Sequence, residues 1–221
     1  MGGTDPDAAP VIDTTIAILA RAPEPGRSKT RLIPRLGADG AAALQQRLTA
    51  RAIDTAVAAA LGRVVLWGTP DHRHPGFAIH ARDRKLELRS QPEGDLGARM
   101  LAAIAATPAA GGVLVIGTDC PALGPDHLRE AAAALAHGND AVVIPAEDGG
   151  YVLIGLRRPE PAVFADIDWG SAWVMAQTRE RLRGRGLRWR ELPPLWDVDR
   201  PDDVDRVARY WPQLLEGLPA A

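Results

Sequence analysis

Short apolar runs alternate with Ala- and Leu-rich segments along most of this 221-residue chain. Buried strands are predicted at 15–20, 64–67, 86–89, 113–116, 141–144, 151–156 and 187–192. Helices, delimited by glycine or proline, are predicted at 41–61, 96–106, 125–136, 172–183 and 201–215. This alternation predicts an α/β domain in which helices cover both faces of a mostly parallel sheet.

No linker or internal repeat divides the chain, so residues 14–216 are predicted to form a single domain. Residues 1–13 are small, acidic and rich in Pro and Gly, and they are interpreted as a disordered lead-in without the features of a signal peptide. Cys120 is the single cysteine, which excludes an internal disulfide and favours a reducing, cytoplasmic location. The net charge of −2 offers no basic field for nucleic acid or a membrane surface.

A basic loop, RAPEPGRSKTRL, follows the first strand at 21–32. Gly26 would let the backbone approach a ligand closely, and Lys29 and Arg31 could meet phosphate oxygens. The loop has the spacing of neither a Walker A motif nor a dinucleotide-binding fingerprint. A phosphate-binding loop and a solvated basic loop both remain open.

Acidic residues follow the central strand and the last strand. Asp119 comes directly after VLVI, at the edge of the sheet where ligands bind in α/β folds, and is the natural first ligand of Mg²⁺. An extended segment would place the carboxylates of Asp197 and Asp199 on one side. Asp199 is either a second metal ligand or a helix N-cap, whereas Asp202 and Asp203 suit the first turn of the last helix.

Cys120 offers a rival interpretation as a nucleophile, although the nearest histidine in sequence, His127, falls within a predicted helix. Between the third strand and its helix, Gln91 suits the edge of a base, and Gly94 and Gly97 permit close approach of a ligand. In the same loop, Asp95 is suited to capping the helix.

Two further stretches carry a structural and a functional interpretation each. Asp148, Gly149 and Gly150 form either a hairpin turn or a site where the aspartate binds a sugar hydroxyl or the metal and the glycines clear space. Trp169 is either a core residue or a platform for the apolar face of a sugar, and Ser171 is predicted to cap the helix that follows.

Six motifs occur together and in order: ILARAPEPGRSKTRL, QPEGDLGARM, IGTDCPAL, IPAEDGGYVLIGL, the F-x-x-I-x-W-G-S run at 164–171, and WDVDRPDDV. This set resembles a bacterial family of GT-A-type proteins in the nucleotide-diphospho-sugar transferase superfamily, often labelled arsenosugar-biosynthesis glycosyltransferase-like. The resemblance covers residues 15–210 and implies a Rossmann-like three-layer fold that binds a nucleotide with Mg²⁺ or Mn²⁺.

The resemblance also implies roles for individual residues. Asp119 corresponds to the metal carboxylate after the central strand, and Asp199 looks like the second metal ligand. Lys29, Arg31 and Asp119 are the expected catalytic residues, and Asp148, Gly149, Gly150 and Trp169 the expected substrate residues. The expected nucleotide-binding residues are Ala22, Pro23, Gly26, Lys29, Arg31, Gln91, Gly94 and Gly97.

Three functions are compatible with these residues. The first is glycosyl transfer from a nucleotide-diphosphate sugar to a small-molecule acceptor, with the metal on the diphosphate. The second is nucleotidyl transfer, in which a substrate attacks a nucleoside triphosphate and pyrophosphate leaves. The third is a non-catalytic nucleotide sensor. The family label favours the first, the basic loop favours the second, and a homodimer stays open.

Overall fold

A computed structural model describes residues 13–84 and 86–218. The lead-in expected at the N-terminus falls almost entirely on residues 1–12, which lie outside the described part. The strands are β1 (Thr15–Arg21), β2 (Val64–Thr69), β3 (Glu87–Ser90), β4 (Val113–Ile116), β5 (Ala141–Pro145), β6 (Tyr151–Leu156) and β7 (Trp189–Glu191). The helices are α1 (Ile33–Ala59), α2 (Pro75–Arg84), α3 (Leu96–Ala106), α4 (Pro125–Ala136), α5 (Val174–Gly184) and α6 (Asp203–Tyr210).

The seven strands form one sheet in the order β3-β2-β1-β4-β6-β5-β7. Each described strand runs parallel to its neighbours except β6, which is antiparallel to both β4 and β5. All four residues of β4 are buried, as expected for a central strand covered on both faces. The prediction of a mostly parallel α/β sheet is therefore confirmed.

Helices cover both faces of this sheet. On one face, α1, α2 and α4 pack on the sheet through residues such as Ile53, Phe77 and Leu128. On the other face, α3 and α5 bury Met100 and Met175 against it. A smaller cluster joins α6 to the first half of α1. The three-layer arrangement of the predicted fold class is confirmed.

The helices differ from the sequence prediction mainly at their ends. Helix α2 is additional, and it buries Phe77 and His80. Helix α1 begins earlier than expected, and Gly37, with φ 67°, marks a kink inside it. Helix α5 begins at Val174 rather than at 172. The last helix begins at Asp203 rather than Pro201 and ends at Tyr210, and a 3-10 turn over Pro212–Leu214 replaces its expected final turn. Within the described residues, no helix has both the length and the apolar character needed to span a bilayer.

Candidate active-site cleft

A cleft of about 850 Å³ opens at the carboxyl ends of β1 and β4. The β5–β6 hairpin and the loop before α5 also contribute to its wall, as does the segment that leads into α6. Most of the predicted site residues line this cleft: Lys29, Arg31, Gln91, Asp119, Asp148, Gly150, Trp169 and Asp199. Loops that are far apart in sequence thus meet where α/β folds commonly bind ligands.

The basic loop and the aspartate after β4 meet directly in this cleft. The Lys29 Nζ lies 2.7 Å from Asp119 Oδ1, and the Lys29 side chain is only 6% exposed. The same ammonium donates a hydrogen bond to the carbonyl oxygen of Val198. Lys29 adopts left-handed backbone angles (φ 49°, ψ 42°), a conformation that costs a non-glycine residue roughly 1–2 kcal/mol. Strain of this kind is characteristic of functional sites.

A buried polar relay holds the Asp119 carboxylate. Gln45, on the buried side of α1, donates through Nε2 to Thr118 Oγ1 at 3.0 Å. Thr118 in turn donates to Asp119 Oδ1 at 3.3 Å. Oδ2 has no hydrogen-bond or ion-pair partner in the described part of the chain. Asp119 is half exposed, so this second oxygen is available to a ligand.

The segment 197–199 runs beside Asp119 and is fixed there by the Val198 N–H, which donates to the Asp119 carbonyl oxygen at 2.8 Å. Asp197 lies on the cleft side of this segment. Burial raises the pKa of Asp197 to about 6, and the negative charges of Asp148 and Asp119 add to the increase. Lys29 acts in the opposite direction. The carboxylates of Asp119 and Asp148 therefore lie close enough to Asp197 to disfavour its ionised form.

Asp199 also lines the cleft, but its carboxylate forms an ion pair with Arg31. It is not the N-cap that was one of its two predicted roles. The N-cap of α6 is Asp202, whose side chain makes no capping hydrogen bond. Asp203 lies in the first turn, as predicted, and its Oδ2 accepts the N–H of Asp199 at 2.9 Å and of Arg200 at 2.6 Å, which fixes the segment before the helix.

The donor set fits a divalent cation that arrives with a phosphate ligand. Among residues 13–84 and 86–218, no three His, Cys, Asp or Glu side chains are grouped closely enough to form a metal cage. Mg²⁺ commonly takes one or two protein carboxylates, while phosphate oxygens and water complete its shell. Asp119 and Asp197 could serve as such a pair, and a cation beside them would offset both the burial, which is the main cause of the raised pKa of Asp197, and the negative charges of Asp148 and Asp119 that add to it.

The Asp148-Gly149-Gly150 stretch forms the tight turn of the β5–β6 hairpin, and Asp148 and Gly150 line the cleft. Gly149 has a different task. A Cβ built on it would lie 2.2 Å from the carbonyl oxygen of Ala172, and its own carbonyl accepts the Met175 N–H at 2.8 Å. Gly149 therefore clears space for the loop before α5 rather than for a ligand.

Trp169 is both a packing residue and part of the cleft wall. Its indole meets Tyr151 edge-on, with ring centroids 6.4 Å apart. A Cβ on Gly97 would lie 2.6 Å from the indole, so Gly97 makes room for Trp169 rather than for a nucleotide. The indole Nε1 is buried and has no hydrogen-bond partner in the described part of the chain. Contrary to the prediction, Ser171 is not the N-cap of α5: that residue is Trp173, whose N–H donates to Ser171 Oγ, because the chain makes a further turn before the helix begins at Val174.

The remaining predicted nucleotide-binding residues occupy varied positions. Gln91 donates from Nε2 to the backbone carbonyls of Ala20 and Trp67, which ties β3 to the inner strands and occupies its donor group. Ala22 lines a smaller neighbouring pocket. Pro23 packs near Gly76, and neither it nor the two glycines Gly26 and Gly94 line the cleft.

The environment of Cys120 opposes its use as a nucleophile. Burial is the main cause that raises the pKa of its thiol, to about 12, and Asp197 and Asp119 add negative charge nearby. A thiol of that pKa supplies almost no thiolate near neutral pH.

Several cleft residues carry little signal in the sequence. Gln45 lies in an Ala-rich helix beside Gln46, and its role follows from its burial and its hydrogen bond to Thr118. For Asp197 the sequence predicts only that its carboxylate faces the same side as that of Asp199. Arg21 and Arg99 also line the cleft, without a role predicted from the sequence.

An Asp197→Asn variant is expected to be more stable than the wild type above pH 6. The native pKa of about 6 exceeds the ordinary 3.8, so the native state binds more protons than the unfolded state between these values. Wild-type stability should therefore rise as the pH falls from 6 to 4. One pKa unit corresponds to about 1.4 kcal/mol, and partial exposure reduces this, so a gain of about 1–2 kcal/mol is expected at pH 8.

Urea denaturation of the metal-free protein at pH 8 and pH 4.5 measures this difference. The gain should shrink at the lower pH, where Asp197 is already protonated. Asp39→Asn, which neutralises an exposed carboxylate on α1, is the matched control and should show no such pH dependence. An Asp197→Asn variant that is less stable than the wild type at pH 8 contradicts the raised pKa assigned to Asp197.

The fold class follows from the sheet order and the helices on both faces: the chain has the architecture of GT-A-like transferases. A family model described as "Uncharacterized protein conserved in bacteria (DUF2064)" matches residues 49–171, which is more than half of the sequence. The chain belongs to this family. No curated protein matches the sequence.

Solved structures are similar over most of the chain. A Desulfovibrio desulfuricans G20 protein, provisionally named a nucleotide-diphospho-sugar transferase, is 28% identical, with a TM-score of 0.78 over 90% of this chain and 89% of that one. The synthetase of CMP:2-keto-3-deoxy-manno-octonic acid, complexed with CTP, is 12% identical, with a TM-score of 0.57 over 91% and 99%.

The third structure is glucosyl-3-phosphoglycerate synthase from Mycobacterium tuberculosis, in complex with Mn²⁺, UDP and glucosyl-3-phosphoglycerate. It is 11% identical, with a TM-score of 0.56 over 96% of this chain and 85% of that one. At such low identity, the second and third structures show a shared fold alone. The first structure and the family match support the expected superfamily but not its arsenosugar-specific family, and the three structures together confirm the GT-A fold class.

Proposed function

We propose that this protein is a metal-dependent transferase that uses a nucleotide-activated donor. The observation that carries the proposal is the convergence of Lys29, Asp119 and Asp197 in one cleft at the carboxyl end of the central strand. The similar proteins that were solved with CTP, or with UDP and Mn²⁺, support it.

In this proposal Asp119 and Asp197 hold the divalent ion, which would supply positive charge to the phosphates of the donor. Lys29 is already desolvated, so its ammonium interacts strongly with an anionic group that enters the cleft. Arg31 pairs with Asp199 and can exchange that carboxylate for a phosphate oxygen. Asp148, at the tip of the hairpin, lines the cleft and is suited to bind a sugar hydroxyl or the metal through Oδ2, since its Oδ1 accepts the Gly150 N–H.

Glycosyl transfer from a nucleotide-diphosphate sugar is the favoured reaction. The similar protein from D. desulfuricans carries a name of that class, and the half-buried Trp169 offers an apolar surface for a sugar ring. The arsenosugar-biosynthesis label of the family that the sequence resembles is a hypothesis within this proposal, and the acceptor is left open as a small molecule. Nucleotidyl transfer is the second candidate, because Lys29, Arg31 and four further arginines at the cleft suit a triphosphate.

The released product distinguishes the candidates. The purified protein is first screened by thermal shift against nucleoside di- and triphosphates and nucleotide sugars, with Mg²⁺, Mn²⁺ or chelator. A true donor at a hundredfold excess over its Kd should add about 2.7 kcal/mol of stability, which corresponds to a rise in Tm of about 5–10 °C.

Turnover of that donor with candidate acceptors is then followed by two assays. A nucleoside diphosphate as product supports glycosyl transfer, and pyrophosphate supports nucleotidyl transfer. Metal-independent binding without either product contradicts the proposal and favours a sensor.

A further inference from the structure

Arg206, on α6, joins the two segments that carry Asp148 and Asp197 into the cleft. Its Nη1 and Nη2 donate to the two carboxylate oxygens of Glu147, at 2.7 and 3.0 Å. Its guanidinium also lies over the indole of Trp196, 4.3 Å from the ring centroid. Glu147 directly precedes Asp148 in the β5–β6 hairpin, and Trp196 directly precedes Asp197. Each partner of Arg206 is therefore the neighbour of a cleft carboxylate.

Backbone pairing between these two segments ends just before the cleft. Ala146 and Leu195 form a parallel bridge, and the Glu147 N–H donates to the Leu195 carbonyl oxygen at 3.0 Å. Beyond this bond, the described part of the chain has no backbone hydrogen bond between the hairpin and the segment after residue 195. Asp148 and Asp197 both lie past this point, where their like charges repel each other. The side chain of Arg206 thus bridges the segments where the backbone no longer does.

The geometry of this bridge fixes an orientation as well as a distance. A guanidinium that meets a carboxylate through two parallel hydrogen bonds has little freedom to rotate. The Trp196 ring beneath it is only 7% exposed and packs against Trp211, with ring centroids 5.6 Å apart. The side chains of Arg206 and Glu147 are 38% and 52% exposed, and an exposed ion pair adds little to global stability. We therefore expect its main effect on local geometry.

We infer that Arg206 is a positioning residue, which sets the separation between the Asp148 and Asp197 carboxylates and so the affinity of the cleft for a divalent cation. The inference rests on the proposed function, which places that cation at Asp119 and Asp197. Arg206 and Glu147 do not themselves line the cleft, so they act through the residues next to them. Loss of either partner lets Asp148 move away from Asp197, and the cation then loses part of the negative charge that attracts it.

The test is titration of the metal-free protein with Mn²⁺ alone, with the free ion measured by electron paramagnetic resonance. Arg206→Gln and Glu147→Gln are each expected to weaken Mn²⁺ binding about tenfold, the lower end of what outer-shell residues contribute to metal affinity. A purely electrostatic influence predicts opposite signs, because the first variant removes a positive charge near the site and the second a negative one. The double variant should bind no more weakly than either single variant, since both changes remove the same interaction.

Arg209→Gln is the matched control. Arg209 lies on the same helix and over an aromatic ring, that of Tyr210, at 5.3 Å, but it has no ion-pair partner in the described part of the chain. This variant should keep the wild-type Kd for Mn²⁺. The Tm of Arg206→Gln should fall by no more than a few degrees. A role in global stability alone would lower the Tm and leave the Mn²⁺ affinity of the folded protein unchanged.

Hydrogen exchange in the metal-free protein checks the mechanism without the cation. The Glu147 N–H, which closes the backbone pairing, should exchange faster in Arg206→Gln, while the amides of β4 keep their wild-type rates. Unchanged exchange at Glu147, wild-type Mn²⁺ affinity in Arg206→Gln and Glu147→Gln, opposite changes in the two, or no Mn²⁺ binding by the wild type each overturns the inference. The proposed function is judged separately, by metal-dependent binding of a nucleotide to the wild type.

Discussion

An Asp119→Asn variant is expected to lose about 1,000-fold in kcat/KM with the donor found by screening, and to lose metal-dependent nucleotide binding. The substitution keeps the shape of the side chain but removes the negative charge that would bind the divalent ion. Metal ions contribute several kcal/mol to charge stabilisation in such reactions, and each 1.4 kcal/mol corresponds to a factor of ten. Calorimetric titration of nucleotide with and without Mn²⁺ provides the measurement.

The same substitution leaves the buried Lys29 ammonium without its carboxylate, although the Val198 carbonyl still accepts from it. A moderate loss of stability is therefore expected, and binding should be measured well below the Tm of the variant. Asp168→Asn, an exposed aspartate in the loop before α5, is the control and should bind as the wild type does. Wild-type metal-dependent affinity in Asp119→Asn would remove the basis of the proposed function.

A Gly149→Ala variant is expected to unfold at a Tm about 10 °C below that of the wild type. Gly149 has φ +95°, and its Cβ would lie 2.2 Å from the Ala172 carbonyl oxygen, so the methyl group forces a backbone to move. The positive φ costs about 1–2 kcal/mol, and displacement of the loop before α5 raises the total to about 3–5 kcal/mol. At about 2–4 °C per kcal/mol, differential scanning calorimetry resolves the shift easily.

Gly170→Ala separates the two causes. Gly170 has φ +86°, but no atom lies within 4 Å of its notional Cβ, so this variant carries the conformational cost without the collision. Its Tm should fall by only a few degrees. Equal losses in the two variants would mean that the contact between Gly149 and Ala172 does not support the loop.

The elements predicted with the correct bounds are those with strong local signals. Strand β4 is a short, fully apolar run, and Pro125 starts α4 at the predicted residue. Helix α3 begins after Asp95, whose Oδ1 accepts the Ala98 N–H at 2.8 Å, as a capping residue should.

Helix α2 escaped prediction because its stability depends on distant residues. The stretch PGFAIHARDR has little helical periodicity, and only Phe77 and His80 are buried. Phe77 packs where Gly68 of β2 leaves room, since a Cβ there would lie 2.7 Å from the ring. The His80 ring contacts Gln46 of α1. Neither contact can be inferred from the helix sequence itself.

The site shows the same division between local and long-range information. The alternation in residues 197–199 correctly implied that Asp197 and Asp199 face one side, because both line the cleft. Which of the two shares the environment of Asp119 depends on the hydrogen bond between Val198 and Asp119, which joins distant loops. The roles of Gly97 and Gly149 likewise depend on partners, Trp169 and Ala172, that are remote in sequence.

The reversed course of β6 has a consequence for how substrate preference can change. The chain turns back at Asp148 instead of leaving through a crossover helix. The cleft therefore has two sides, one built by the first half of the sequence and the other by the second half. Arg21, Arg27 and Arg99 lie on the side of β1 to β3, and Asp148, Trp169 and Asp197 on the opposite side. Substitutions on one side can therefore change recognition there while the other side keeps its geometry.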